Sequence, residues 1–209
     1  MTERYRYSDH TKPVDTTPLK VDVLMIQTRD DDHTWVKQAL QSVDDQSYPH
    51  LGLVVVDNKD RSLTIGQAWN GAVQASDADL VLFLGDDDAL TVDLVESMTA
   101  SWHYIRAKVP NLVHLTTHCT LLDEATGARA VGPIPHTGMF LRRFLVEHPF
   151  DETLSRGVGK QKMQAIQQAQ KFVGEPMSTA ITHHHGYIFR HHPWMIGGPQ
   201  VQFQQHAQR

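Results

Sequence analysis

Cysteine is almost missing from this chain: Cys119 stands alone among 209 residues, so no internal disulfide can form. A lone thiol suits a reducing compartment, and a cytoplasmic location is the expectation. Long apolar runs are missing too, which excludes a membrane-spanning helix by length alone. Met1–Lys20 is polar and Thr-rich, shows no signal-peptide pattern, and reads as a surface arm. An excess of positive charge is absent: 19 Lys and Arg face 24 Asp and Glu, a net charge of −5 with His neutral. That balance encodes no general attraction to nucleic acid or anionic membranes. Neither G-x-G-x-x-G after the first strand nor G-x-x-x-x-G-K-[ST] occurs, which argues against a Rossmann dinucleotide site and a P-loop. Internal repeats are absent as well. What remains, with 40% hydrophobic and 21% charged residues, is an ordinary globular composition long enough to bury a sizeable core. Histidine is over-represented, and most of the 14 fall after Val113.

The chain is organised around Leu80-Val81-Leu82-Phe83-Leu84, an unbroken apolar run that stops at Gly85 and three carboxylates, Asp86, Asp87 and Asp88. A short continuous run of this kind is expected to be a strand buried on both faces of a parallel sheet. The carboxylates then sit at its carboxyl end, where open α/β sheets place their ligands. Three like charges on one loop repel unless a cation neutralises them, and a hard divalent ion such as Mg²⁺ or Mn²⁺ suits an all-oxygen set. On this ground Asp88 and Asp86 are candidate metal ligands.

Two similar units precede this stretch. Val21–Ile26 is an expected strand followed by Gln27-Thr28-Arg29-Asp30, and a helix carries Val36, Ala39, Leu40 and Val43 inward, with Asp32 or Thr34 as N-cap. Leu51–Val56 is a second expected buried strand ending in Asp57-Asn58, and Ile65, Ala68, Trp69, Ala72 and Val73 mark a second helix. Three strands alternating with two helices predict a right-handed parallel βαβαβ half. Its strand ends Thr28 and Arg29, Asp57 and Asn58, and Asp86–Asp88 converge on one polar crevice. Further on, Leu94, Val95, Met98, Trp102 and Ile105 line a helix, and Leu112–Thr120 is an expected strand. Asp123–Gly127 is a turn, Ala128–Val131 a hairpin arm, and Gly132–Pro135 a loop. Met139–Leu141 is a short apolar stretch, Arg142–Glu147 begins a helix, and Lys160–Phe172 is helical. Met177–Thr182 is the last strand, and His183–Arg209 an irregular His/Gln-rich tail.

Taken in order, several pieces resemble the large GT-A family of inverting, nucleotide-sugar-dependent glycosyltransferases (family 2-like). They are Thr28-Arg29, Gln46-Ser47-Tyr48-Pro49, Val54-Val55-Val56-Asp57-Asn58, Asn70, and Phe83 to Leu90. The match runs from Val21 to about Leu94, with a weaker echo from Gly138 to His185. The resemblance implies an α/β GT-A, Rossmann-like mixed sheet flanked by helices. It implies one domain over residues 21–182, with a nucleotide-binding half (21–107) and an acceptor half (108–182), between the arm (1–20) and the tail (183–209). It further implies that Thr28, Arg29, Asp57, Asn70, Asp86 and Asp87 hold a nucleotide-diphosphate sugar. Asp86 and Asp88 would hold Mn²⁺ or Mg²⁺, with His183 or His185 completing the shell. The chemistry needs such groups because charge grows on the departing diphosphate while a general base activates the acceptor hydroxyl. Here the chain departs from the family. Phe150-Asp151-Glu152 is present, but Gly157-Val158-Gly159-Lys160 stands where an acidic pair is usual, leaving Asp151 as candidate base.

Two other readings compete: a nucleotidyltransferase, which needs cationic residues gripping a triphosphate near the first strand, and a non-catalytic nucleotide- or sugar-binding module. The acceptor is open among a glycan, a small molecule, a protein and, by analogy with some bacteriophages, modified DNA bases. DNA would require local patches such as Arg142-Arg143, Lys160-Lys162 or Arg190-His191-His192. Cys119 is expected to be an inert buried thiol.

Overall fold

A computed structural model describes residues 16–153 and 178–191; for 132–137, 178–185 and 191 the description is of the backbone alone. The parallel half is built as the periodicity requires. Strand β1 (Val21–Gln27) lies between β2 (Leu51–Asp57) and β3 (Leu80–Gly85), parallel to both. Helix α1 (Thr34–Asp44) and helix α2 (Ile65–Ala75) make the crossovers. After β3 come a two-residue strand β4 (Ala89–Leu90), helix α3 (Leu94–Arg106), the hairpin β5 (Leu112–Asp123) and β6 (Arg129–Leu141), helix α4 (Arg142–Glu147), and β7 (Ser178–His191). The seven strands form one mixed sheet in the order β2-β1-β3-β6-β5-β7-β4, with β6 antiparallel to β3 and to β5.

Successive side chains of a strand point to opposite faces, so β1 and β3 feed two cores. Val21, Val23 and Met25 with Leu80, Leu82 and Leu84 pack under Ala39 and Val43 of α1 and Leu94, Met98 and Trp102 of α3. Leu24, Val81 and Phe83 pack on the other face under Ala72 and Val73 of α2, Phe144 and Leu145 of α4, and Phe150. Burial on both faces explains why these strands read as continuous apolar runs. Strand β2 departs from that expectation: it is the sheet edge, and Leu53 and Val55 are exposed. Cys119 is buried, as expected.

Helix starts and strand ends also differ in places from the sequence reading. Helix α1 is capped by His33, whose Nδ1 accepts from the Trp35 amide at 3.3 Å, and not by Asp32 or Thr34. Helix α2 has a capping box, Thr64 with Gln67. The segment after α1 serves as a clasp: Gln46 Oε1 accepts from the Val95 amide, the Ser47 amide donates to the Val92 carbonyl, and the Tyr48 hydroxyl donates to the Leu19 carbonyl. Part of the expected arm is therefore docked, with Leu19 against the core and Asp79 and Leu80 amides on the Lys20 carbonyl.

Two corrections fall in the second half. The expected loop Gly132–Pro135 lies within continuous β6, because the ladder slips in register between Thr116 and His118 and absorbs the prolines there. The expected tail begins too early: β7 continues through His183–His191, pairing with β5 in parallel as far as Asp123↔His191 and with β4 in antiparallel. Its long backbone ladder overrides the polar His run. The expected helix Lys160–Phe172, residues 157–160 and the tail from 192 onward lie outside the described residues.

His114 on β5 is fully buried, its ring stacked on Phe140 with centroids 4.0 Å apart, and neither ring nitrogen has a hydrogen-bond partner among the described residues. Burial pushes its pKa down to about 3. The folded pKa lies below the unfolded one, so the unfolded chain binds the proton more readily. Stability is then lost as pH falls below the unfolded value toward about 3. At pH 5 this amounts to about 2 kcal/mol relative to neutral pH. Urea denaturation at pH 7.5 and pH 5 should show this loss in the wild type and a much smaller one in His114→Phe; equal losses would place the acid sensitivity elsewhere.

Candidate functional site

Register decides the site before any side chain does. Ile26 pairs with Gly85 across β1 and β3, so Thr28-Arg29 and Asp86-Asp87-Asp88 leave the sheet side by side. Asp86 is buried, and its carboxylate is filled by β1's exit. Oδ2 accepts from the Thr28 amide at 2.6 Å, the Thr28 hydroxyl at 3.0 Å and the Arg29 amide at 3.1 Å, and Oδ1 accepts from Arg29 Nη1. The other end of the Arg29 fork, Nη2, donates to Asp87 Oδ2 at 2.8 Å. The guanidinium lies over the Trp35 ring, 5.3 Å from its centroid, a cation–π placement that fixes its plane.

Asp88 turns the other way. Its Oδ2 accepts from the Tyr187 hydroxyl at 2.8 Å and its Oδ1 from the Arg190 amide at 3.0 Å. Burial, followed by the neighbouring charge of Asp87, raises its pKa to about 7, although the Arg190 and Tyr187 contacts pull the other way. Burial and then Asp88 push Tyr187 well above the ordinary phenol value. Gly85 permits this packing: a Cβ there would lie 2.8 Å from Asp88 Oδ2 and 3.0 Å from Asp87 Oδ1. The three adjacent carboxylates thus have three environments, and only Asp87 keeps partial exposure, 17% of its side chain.

Asp57 lies on the rim at the end of β2, 64% exposed and paired with Lys59 Nζ at 3.1 Å. Lys59 also reaches Asp31, and the Gln27 side chain donates to Asp31 and to the Arg29 carbonyl. Asn70 is not with this group. Its Oδ1 accepts from the Phe150 amide at 2.8 Å, and its Nδ2 donates to the Phe150 carbonyl at 2.9 Å and to Glu152 at 3.1 Å. Both functions of the amide are engaged in holding residues 150–152 against α2, where the sequence reading expected a nucleotide contact. Gly66 belongs to the same clamp, since a Cβ there would meet the Asp151 carbonyl at 2.1 Å.

Asp151 is exposed, and its carboxylate accepts from the amide and hydroxyl of Thr153 at 2.9 and 2.7 Å. Those contacts hold its pKa below the usual carboxylate range. His183 and His185 lie on β7, but their side chains fall outside the described residues. Of the basic patches considered for DNA, Arg190 is engaged by Glu124 and Gln38 and the Arg142 Nε by the Val73 carbonyl, while Arg143 lies beside Glu147 at 3.8 Å. Trp35, Lys59 and Tyr187 went unnoticed as site residues in the sequence, and Arg190 was noticed only as part of a DNA-contact patch. The link from Tyr187 and Arg190 to Asp88 was hidden because the His run concealed the strand that carries them.

No protein-family model matches the chain, and no curated protein matches it in sequence. Its backbone is similar to that of S. aureus TarS. Against TarS 1–349 in complex with UDP-GlcNAc the TM-score is 0.60 at 13% identity, covering 82% of this chain and 58% of that one. Against TarS 1–349 alone it is 0.59 at 11% identity, covering 82% and 60%. The fold is GT-A. The chain spans about 60% of TarS 1–349 and 37% of a longer TarS structure.

The engagement of Asp86 predicts its weight. Asp86→Ala would leave two backbone amides, a hydroxyl and one end of a guanidinium without their acceptor, and is expected to lower stability by about 3 kcal/mol. Asp57→Ala, on the exposed rim, should cost less than about 0.5 kcal/mol. Parallel urea titrations of the two variants test the contrast.

Proposed function

We propose that the chain is a glycosyltransferase that takes a sugar from a nucleotide-diphosphate donor, with inversion, and passes it to an acceptor hydroxyl. The observation that carries this reading is the convergence of Thr28-Arg29, Asp57 and Asp86–Asp88 at the carboxyl edge of β1, β2 and β3 within a GT-A fold. Asp57 and the Thr28 region would meet base and ribose, and Arg29 the diphosphate. UDP and UDP-GlcNAc, which TarS 1–349 binds in its crystal structures, are the first donors to try.

The donor set narrows where a divalent cation could sit. Among the described residues no three His, Cys, Asp or Glu side chains assemble into a cage. Asp86 and Asp88 have their oxygens engaged within the protein. Asp87, a partly exposed hard-oxygen donor, fits, and it would hold the ion together with donor phosphate oxygens, as Mg²⁺ and Mn²⁺ commonly sit. Such an ion supplies Lewis-acid stabilisation of the departing diphosphate. The ligand proposed from the sequence thereby moves from Asp88 to Asp87. Calorimetric titration of UDP-GlcNAc with and without Mn²⁺ is expected to show metal enhancement lost in Asp87→Ala and kept in Asp88→Asn; the reverse pattern would return the role to Asp88.

Asp151 makes a handicapped base, because a lowered pKa and two local hydrogen bonds both reduce its proton affinity. Asp151→Asn is expected to reduce turnover less than about tenfold, whereas a general base would cost about 10²-fold or more. The same observation favours a second reading, a non-catalytic nucleotide-sugar-binding module. Release of free sugar or transfer product from a radiolabelled donor separates it from the enzyme.

A further inference from the structure

Arg29 carries one positive charge and two carboxylates share it. Nη1 is held by buried Asp86, which also grips the Arg29 amide, and Nη2 is held by Asp87. The two attachments are unequal. Asp86 is anchored by four donors and lies away from solvent, so the Nη1 end and the backbone are fixed. Asp87 is the partly exposed partner, and the Arg29 side chain is itself 23% exposed. Trp35 supports the face of the guanidinium and leaves its edges to make the hydrogen bonds. The group best placed to receive a diphosphate is therefore already neutralised by the group best placed to receive its cation.

We infer that Asp87 masks Arg29, and that the pair separates on donor binding, the Nη2 edge turning to the diphosphate as Asp87 turns to the accompanying cation. This rests on the donor-site reading above and goes beyond it. No covalent bond changes; one ion pair is exchanged for two. Nucleotide and cation must then bind synergistically, because either alone leaves one member of the separated pair without a counter-charge.

The test is a double-mutant cycle on the full chain, titrating UDP calorimetrically with and without Mn²⁺ into wild type, Asp87→Asn, Arg29→Gln and the double variant. Without cation, Asp87→Asn is expected to bind UDP about tenfold more tightly than wild type, since the mask is gone. In the Arg29→Gln background the same substitution should change affinity less than about twofold. Mn²⁺ should tighten UDP binding by wild type and leave Asp87→Asn unaffected. Arg29→Lys, checked for folding by near-ultraviolet circular dichroism, guards against an unstable Gln variant. The ammonium keeps the charge but loses the planar fork that aims separate donors at Asp86 and Asp87, so its cycle with Asp87→Asn should shrink. Unchanged or weaker metal-free binding by Asp87→Asn overturns the masking. So does equal tightening in both backgrounds, which would reflect loss of a negative charge in general. Should wild type bind neither UDP nor UDP-GlcNAc under any condition, the donor site itself is wrong; UDP binding with a failed cycle removes the masking alone.

Discussion

The carboxylate of Asp86 is the contact on which the rest of the site depends. It accepts from two consecutive amides, one hydroxyl and one guanidinium, all belonging to Thr28 and Arg29. Through it the exits of β1 and β3 become one rigid piece. A buried carboxylate is tolerable only when its lone pairs are filled by donors and a counter-charge, and here the donors are the residues that must be aimed. Orientation of Arg29 is thus a by-product of satisfying Asp86.

Asp88 plays a comparable part across a greater distance in sequence. Tyr187 and the Arg190 amide close on it from β7, and Arg190 in turn holds Glu124 at the β5–β6 hairpin and Gln38 on α1. The three-residue acidic loop therefore ties β1 on one side and β7 on the other, which joins the parallel strands to the far end of the sheet. A second joint lies on the opposite face, where Asn70, Gly66 and Thr64 grip residues 150–152. The resemblance placed Asn70 with the nucleotide, but the same residue type serves equally well as a clamp. Its amide matches one donor and one acceptor of an extended backbone.

Much of the site was legible because strands buried on both faces announce themselves. Leu80–Leu84 could only be interior, and whatever followed it had to emerge at the sheet's carboxyl edge. What was not legible is how three neighbouring carboxylates divide their roles. Charge repulsion among them was read as a demand for a metal ion. In the folded chain a guanidinium, a phenol and several amides answer most of that demand, with Asp88 further relieved by a pKa raised to about 7. Side-chain direction at a tight turn depends on Gly85 and on partners about 58 residues upstream and 100 downstream, and local spacing carries no trace of them.

By itself the sequence determined the alternation of strands and helices in the first half, the two-sided cores, and the convergence of Thr28, Asp57 and Asp86–Asp88 at one edge. Those follow from periodicity, which is local. Tertiary structure alone decided that β2 is an exposed edge, that the His-rich stretch is a strand, that Asn70 bonds Phe150 and Glu152, and that Asp87, not Asp88, stays accessible. Each of these is settled by which distant strand or side chain completes a ladder or fills a lone pair, and that pairing exists only once the sheet has formed.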